Sequence, residues 1–175
     1  CFGLQLGLVS CGRGRRVTAV IFGLVWGRSA VGLAKQIAVG RHEAKDYVET
    51  SFARDPGVKC YMDTTRAHAA DQGFVETLFG RRLYLPEINS SNGMRRQAAE
   101  RTAINAPMQG TAADIIKKAM VAVDHWMTES AVEGAMIMQV HDELVFEVAE
   151  DSLDLLVTSV NGLMSGAVEL DVPLI

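Results

Sequence analysis

The 175-residue chain lacks several features that mark common classes of protein. Its longest stretch without a charged residue covers residues 155–168, which is shorter than the roughly 20 apolar residues of a membrane-spanning helix. Three cysteines are too few for a disulfide framework and favour a reducing, cytoplasmic setting. No secretory signal pattern is present, and we expect no contact with a membrane.

Several familiar catalytic motifs are missing as well. The sequence has no Walker-type glycine-rich loop, no Cys-x-x-Cys metal site and no Gly-x-Ser-x-Gly nucleophile elbow. What remains is typical of an ordinary globular domain with a sizeable core. The chain starts at Cys1 rather than Met and ends in a strand-like sequence, so we expect it to be a piece of a longer protein.

The charges divide the chain into a basic and an acidic part. Residues 1–101 contain 15 Lys and Arg against 9 Asp and Glu, a net of +6, whereas residues 102–175 contain 2 against 12, a net of −10. Residues 1–101 could bind a polyanion. Residues 102–175 could bind divalent cations, but a solvent-exposed acidic face explains their charge equally well. The total of −4 does not by itself predict a nucleic-acid-binding protein.

Hydrophobic periodicity and turn residues predict a helix-rich α+β chain. Predicted helices cover residues 13–27, 29–39, 41–54, 56–72, 94–128 and 150–164. Predicted β-hairpins pair residues 74–78 with 81–85, and residues 135–140 with 144–148. Pro107 falls inside the longest helical pattern and is expected to kink or split that helix.

The first candidate site is the tripeptide His141, Asp142 and Glu143 at the predicted tip of the second hairpin. Two neighbouring carboxylates repel each other unless they are solvated, protonated or bound to a cation. Mg²⁺ suits such a pair, because it binds a few carboxylate oxygens and keeps its other positions for water and phosphate. The alternative is a polar turn with no catalytic or binding role, since turns favour Asp.

Two further sets of residues have helical spacing. Arg101, Asn105 and Gln109 follow an i, i+4, i+8 pattern and would form a strip of donors for phosphates and base edges, although a hydrated helix face also fits. A stripe on the first predicted helix could bind a triphosphate at its basic start and stack a base on its aromatic rings, although its aromatics could equally be core residues. Its members are Arg15, Thr18, Phe22 and Trp26.

Four strings of residues make the chain similar to the polymerase domain of bacterial DNA polymerase I, the family A DNA polymerases. The similar strings are 80–86, 90–92, 100–117 and 138–147, the last of which resembles motif C of the family. The resemblance implies a right-hand polymerase fragment with an α+β fold, comprising helix-rich fingers and a partial palm whose β-hairpin carries motif C. Residues 1–92 would form the fingers, and residues 93–175 a helical connection and part of the palm.

The resemblance also implies a role for each candidate residue. Asp142 would coordinate the catalytic Mg²⁺ with Glu143 as its acidic neighbour, and His141 would lie beside the primer terminus. Arg101, Asn105 and Gln109 would contact the minor groove of the template–primer DNA. Phe22 and Trp26 would lie on the fingers helix that closes over the incoming deoxynucleoside triphosphate. The intact parent would be a monomer acting in DNA replication and repair, transferring deoxynucleotides to a primer 3′-hydroxyl with two metal ions.

The first predicted helix departs from the family pattern. Gly14 and Thr18 stand where the family carries Arg and Lys, and Ile21 stands where it carries Asn. Losing two cations beside a triphosphate should weaken nucleotide binding roughly 100-fold or more. We hypothesise that Arg15 and Arg16 compensate in part.

A metal-binding aspartate of the family, in its motif A, would lie upstream of Cys1. We therefore expect the 175-residue chain alone to have no polymerase activity, because one carboxylate pair does not complete a two-metal site. Two alternatives stay open. One is a non-catalytic remnant that only binds duplex DNA, and the weaker one is a metal-dependent nuclease that uses Asp142 and Glu143.

Overall fold

A computed structural model of the chain describes residues 39–130, 132–172 and 174. The helix predicted over residues 13–27 lies outside these ranges, as does nearly all of the one predicted over 29–39. The chain separates into two compact units, one up to Met108 and the other from Gln109 onward. No helix in the described ranges is both long and apolar enough to cross a membrane.

Two helices open the described part of the first unit, and both coincide with the predicted ones. Helix α1 covers Arg41–Arg54 and helix α2 covers Pro56–Gln72. Pro56 suits the first turn, where its missing N–H leaves no hydrogen bond unmade. Gly73 ends α2 in the left-handed conformation, with φ 75°, and its N–H donates to the carbonyl of Ala69.

A small antiparallel hairpin follows, as predicted, but its strands are shorter. Strand β1 covers Phe74–Glu76 and β2 covers Arg82–Tyr84. Arg82 lies 2.7 Å from a carboxylate oxygen of Glu76 and 4.4 Å from the Phe74 ring centre. The hydrogen bond to Glu76 raises the pKa of the Arg82 guanidinium above its ordinary value.

Helix α3 covers Gly93–Glu129 without interruption, so of the kink or split expected at Pro107 the split does not occur. Asn92 caps its start, because the side-chain oxygen accepts hydrogen bonds from the N–H groups of Met94 and Arg95. Proline removes only one backbone donor from the helix, and the complete burial of Ala103 and Ile104 holds the turn before it in place.

The core of the first unit lies between α2, the hairpin, the loop after it and the first half of α3. Its buried members are Ala69, Val75, Leu85, Ile88, Ala99 and Ala103. Small residues on the two helices let their backbones approach closely, and the larger side chains come from the hairpin and the loop.

The second unit contains a longer antiparallel hairpin and a final helix. Strand β3 covers Gly134–Val140, β4 covers Glu143–Val148, and helix α4 covers Leu153–Ser165 after one 3₁₀ turn. The core has four buried residues, Val123, Val132, Leu156 and Val160, with Trp126, Phe146 and Val148 packed against them. The apolar faces of α3, α4 and β4 thus cover one another, which supports the hairpin from one side only.

Candidate active site

The turn between β3 and β4 presents the candidate acids. It consists of His141 and Asp142 alone, and Val140 pairs with Glu143 directly across it. His141 has φ 55° and is the one residue other than glycine with positive φ among the residues described. A positive φ at the first loop residue only is the type II′ pattern, which matches the twist of a two-residue hairpin.

The expectation that all three residues form the tip is wrong for Glu143, which is the first residue of β4. Its backbone takes a ladder position opposite Val140, because a two-residue turn already reverses the chain. His141, Asp142 and Glu143 are all exposed. The end of the hairpin therefore exposes two neighbouring carboxylates to solvent, that of Asp142 in the loop and that of Glu143 at the start of β4.

Alternation along β4 explains why Glu143 is exposed. Leu144, Phe146 and Val148 are half-buried, and the last two pack on the core of the second unit. Because successive side chains point to opposite faces, Glu143 and Glu147 lie on the other face with Val145. That outer face also carries exposed apolar residues of β3.

Strand β3 contains a β-bulge at Ile137. Met136 pairs with Phe146 and Met138 pairs with Val145, so Ile137 has no partner on β4. Such a bulge adds one residue to one strand and shifts the register of everything beyond it. Here the shift decides which residues remain for the turn.

The side-chain amide of Gln139 donates a hydrogen bond to the carbonyl oxygen of His141. This bond spans the end of β3 and the first residue of the turn. Sequence reasoning missed Gln139 as a site residue, although an amide two residues before a hairpin turn is a signal that could have found it.

The donor strip lies on α3 as predicted, with Arg101 and Gln109 exposed and Asn105 half-buried. Arg101 and Asn105 belong to the first unit, whereas Gln109 belongs to the second, together with the turn. The hydroxyl of Tyr61 donates a 2.8 Å hydrogen bond to the carbonyl of Ile104, which fixes the backbone beside Asn105. No sequence signal links Tyr61 to this strip, because the contact joins distant parts of the chain.

The candidate nucleotide-binding stripe of Arg15, Thr18, Phe22 and Trp26 lies outside the described residues, so its assignment stays a prediction. Within the described ranges, no three His, Cys, Asp or Glu side chains are grouped to hold a metal ion. Asp142 and Glu143 alone fit a cation that binds one or two carboxylates and completes its shell with water and phosphate oxygens, which is the preference of Mg²⁺.

The chain matches the sequence model of one protein family and is similar in sequence to proteins of that kind. The sequence model of DNA polymerase family A matches residues 1–175. The chain is 62% identical over 174 residues to DNA polymerase I of Pseudomonas aeruginosa and 44% identical over 173 residues to DNA polymerase I of Mycobacterium bovis, covering 99% of this chain and 19% of each relative. The chain thus spans about a fifth of the length of these curated relatives.

A solved structure shares the fold. The POL domain of Pol1 from M. smegmatis, in complex with DNA primer-template and dNTP, superposes with a TM-score of 0.93 at 44% identity, covering 99% of this chain and 30% of that one. The helix-rich architecture with small antiparallel sheets confirms the predicted α+β polymerase fold. Since the family model covers every residue of the chain, this protein belongs to DNA polymerase family A.

Proposed function

We propose that this chain supplies part of the active site of a DNA-directed DNA polymerase, a nucleotidyltransferase. The reaction would transfer a deoxynucleotide to a primer 3′-hydroxyl and release pyrophosphate. The observation that carries the proposal is the end of the β3–β4 hairpin, where Asp142 in the turn and Glu143 at the start of β4 present two exposed carboxylates in a chain that belongs to family A. A similar structure bound to DNA primer-template and dNTP supports these partners.

Asp142 and Glu143 are the residues that would bind the metal. Membership in family A implies the use of a divalent metal, and the carboxylates of the turn fit Mg²⁺ as the ion. When bound, Mg²⁺ would stabilise the attacking primer oxygen and neutralise charge on the triphosphate. The loop position of Asp142 leaves its carboxylate open on several sides, whereas Glu143 is fixed by the strand ladder.

The remaining candidate residues would hold the DNA and the nucleotide. His141, as the first turn residue, would contact the primer terminus. Arg101, Asn105 and Gln109 would donate hydrogen bonds to the minor-groove edge of the template–primer duplex, where acceptors are offered by every base pair. Because these acceptors are common to all base pairs, the three donors would hold a duplex of any sequence, as template-directed synthesis requires.

The assignment of subdomains extends the same proposal. Residues 1–92 would form fingers that carry the nucleotide stripe Arg15, Thr18, Phe22 and Trp26, and residues 93–175 would form the connection and partial palm. The parent enzyme would act as a monomer in DNA replication and repair in the cytoplasm, with no membrane partner.

The test is primer extension by a chimera in which this chain replaces the matching segment of the Pseudomonas aeruginosa DNA polymerase I. We expect the chimera to extend a primer in the presence of Mg²⁺. Asp142→Asn should reduce the rate at least about 100-fold, since a lost metal ligand removes several kcal/mol of charge stabilisation. Glu147→Gln is the matched control, because Glu147 is exposed on the same face of β4 as Glu143 but lies away from the turn. We expect this substitution to change the rate less than about threefold.

A non-catalytic protein that only binds duplex DNA is the second candidate function. The presence of Gly14 and Thr18 where the family carries Arg and Lys favours it. In that case the chimera would bind primer-template with ordinary affinity, measured by fluorescence anisotropy, but would not extend the primer at saturating dNTP. Such a result would overturn the polymerase proposal while leaving the DNA interface on α3 intact.

A further inference from the structure

We propose that Gln139 is a positioning residue, which holds the turn in the conformation that aims Asp142 at its metal. This inference rests on the proposed function. It assigns Gln139 a role through the backbone rather than through contact with DNA, nucleotide or metal, and it follows from three features of the hairpin.

The first feature is the conformation of His141. Its φ of 55° lies in the left-handed region, where the Cβ of an L-residue crowds the following carbonyl. Glycine adopts this region freely, and histidine adopts it more often than most other residues. Because His141 still carries a Cβ atom, an interaction within the turn would stabilise this conformation.

The second feature is the hydrogen bond from the Gln139 amide to the His141 carbonyl. That carbonyl belongs to the peptide group which joins His141 to Asp142. Fixing its direction restrains the rotation on either side of the peptide plane, and so restrains the direction in which the Cα–Cβ bond of Asp142 points. The amide thus acts on the residue proposed to bind Mg²⁺.

The third feature is the bulge at Ile137. If Met136 still paired with Phe146 but β3 had no bulge, Gln139 would pair with Glu143, and three residues would remain in the loop. With the bulge, Gln139 pairs with Leu144 and two residues remain. The bulge therefore pairs Gln139 with Leu144 and makes His141 the first residue of a two-residue loop.

Gln139 itself is exposed and belongs to neither buried core. Replacing its amide by an apolar group of similar length should therefore leave the packing of the hairpin unchanged. This separates a positioning role from a general contribution to folding.

The experiment compares Gln139→Met with the matched control Met138→Leu in the chimera described above. Met138 is the adjacent residue of β3 and is 53% exposed. We expect Gln139→Met to lower the maximal extension rate about tenfold and to raise the Mg²⁺ concentration needed for half-maximal rate, with dissociation constants for primer-template and dNTP unchanged within about twofold. Met138→Leu should alter none of these quantities more than twofold.

Two further measurements make the outcome decisive. In a His141→Gly background the left-handed conformation no longer carries a penalty, so Gln139→Met should there reduce the rate less than twofold. Hydrogen–deuterium exchange of the peptide that covers the turn should be faster in Gln139→Met than in the parent chimera, and not in Met138→Leu.

An unchanged rate in Gln139→Met, or an equal loss in the His141→Gly background, would overturn the positioning role. If the parent chimera fails to extend primers at all, the proposed function fails separately. In that case hydrogen–deuterium exchange alone tests the role of Gln139. Faster exchange of the turn in Gln139→Met supports that role, and unchanged exchange overturns it.

Discussion

The hydroxyl of Tyr61 donates a 2.8 Å hydrogen bond to the backbone carbonyl of Ile104, 43 residues further along the chain. Ile104 is fully buried and lies one turn before Pro107, whose ring nitrogen cannot donate to the helix. The bond therefore ties α2 to α3 at the point where the helix loses a backbone donor, and beside Asn105 of the donor strip.

Replacing Tyr61 by Phe should cost about 1 kcal/mol of stability in the first unit, the usual net value of a buried neutral hydrogen bond. The affinity of the chimera for primer-template should fall about two- to fivefold, because the backbone next to Asn105 becomes less restrained. Thermal unfolding and fluorescence anisotropy measure the two effects. Tyr47→Phe is the control, since that hydroxyl contacts Glu43 at 3.3 Å on the surface of α1, and an equal effect there would refute the explanation.

Alkaline pH should weaken the same contact. Burial raises the pKa of Tyr61 above its ordinary value of 10.0, and the hydrogen bond with Thr65 offsets this only in part. Between the unfolded and the folded pKa the native state holds the proton and the unfolded state does not. Stability is therefore complete below pH 10.0 and decreases as the pH rises through that window. The difference in phenolate absorbance between the parent chimera and Tyr61→Phe should titrate above pH 10.0, and a midpoint below it would contradict this prediction.

Gly134 allows the ends of β3 and β4 to come together. A Cβ atom on this residue would lie 2.7 Å from the carbonyl oxygen of Glu147 and 3.1 Å from the Cα of Val148. Both are backbone atoms, so Gly134→Ala should force the strands apart and destabilise the hairpin by about 1–3 kcal/mol. Amide exchange of the β3–β4 peptides in urea measures the loss.

Gly162→Ala provides the comparison for this change in the same unit. A Cβ on Gly162 meets nothing within 4 Å, and the residue lies inside helix α4. Alanine should there stabilise the helix by roughly 0.5–1 kcal/mol, because glycine loses more conformational freedom on folding. Opposite signs for the two substitutions are the expected result, and equal signs would contradict it.

Local signals made most helices predictable, whereas details of the site depended on contacts between distant residues. Pro56 and Gly73 mark the ends of α2 in the sequence itself, and the structure places the helix between them. The bulge at Ile137 and the strand position of Glu143 follow from cross-strand register, which no single segment encodes. The positive φ of His141 was likewise not predicted, although histidine is among the residues that adopt positive φ more often than most. The continuity of α3 through Pro107 reflects tertiary packing that overrides a local helix breaker.

Nucleotide binding should respond to the residues that depart from the family pattern. Thr18→Lys in the chimera restores a cation beside the proposed triphosphate site and should lower the dissociation constant for dNTP about tenfold, the value of one charged hydrogen bond. Arg15→Ala should raise that constant severalfold if Arg15 compensates for the missing Lys. Pre-steady-state incorporation at varied dNTP measures both constants, and an unchanged affinity in Arg15→Ala rules out compensation by that residue.

Salt dependence separates the charged member of the donor strip, which we expect to contact a phosphate as well as the groove edge, from the two amides. Arg101 is exposed on α3, and a cation that neutralises one phosphate contributes about 0.9 to the slope of log K against log salt concentration. Arg101→Ala should therefore weaken primer-template binding and reduce that slope by about one. Gln109→Ala should weaken binding with the slope unchanged, because an amide hydrogen bond releases no counterion. Equal slopes for the parent chimera and Arg101→Ala would show that this guanidinium makes no phosphate contact and would confine its contribution to base edges.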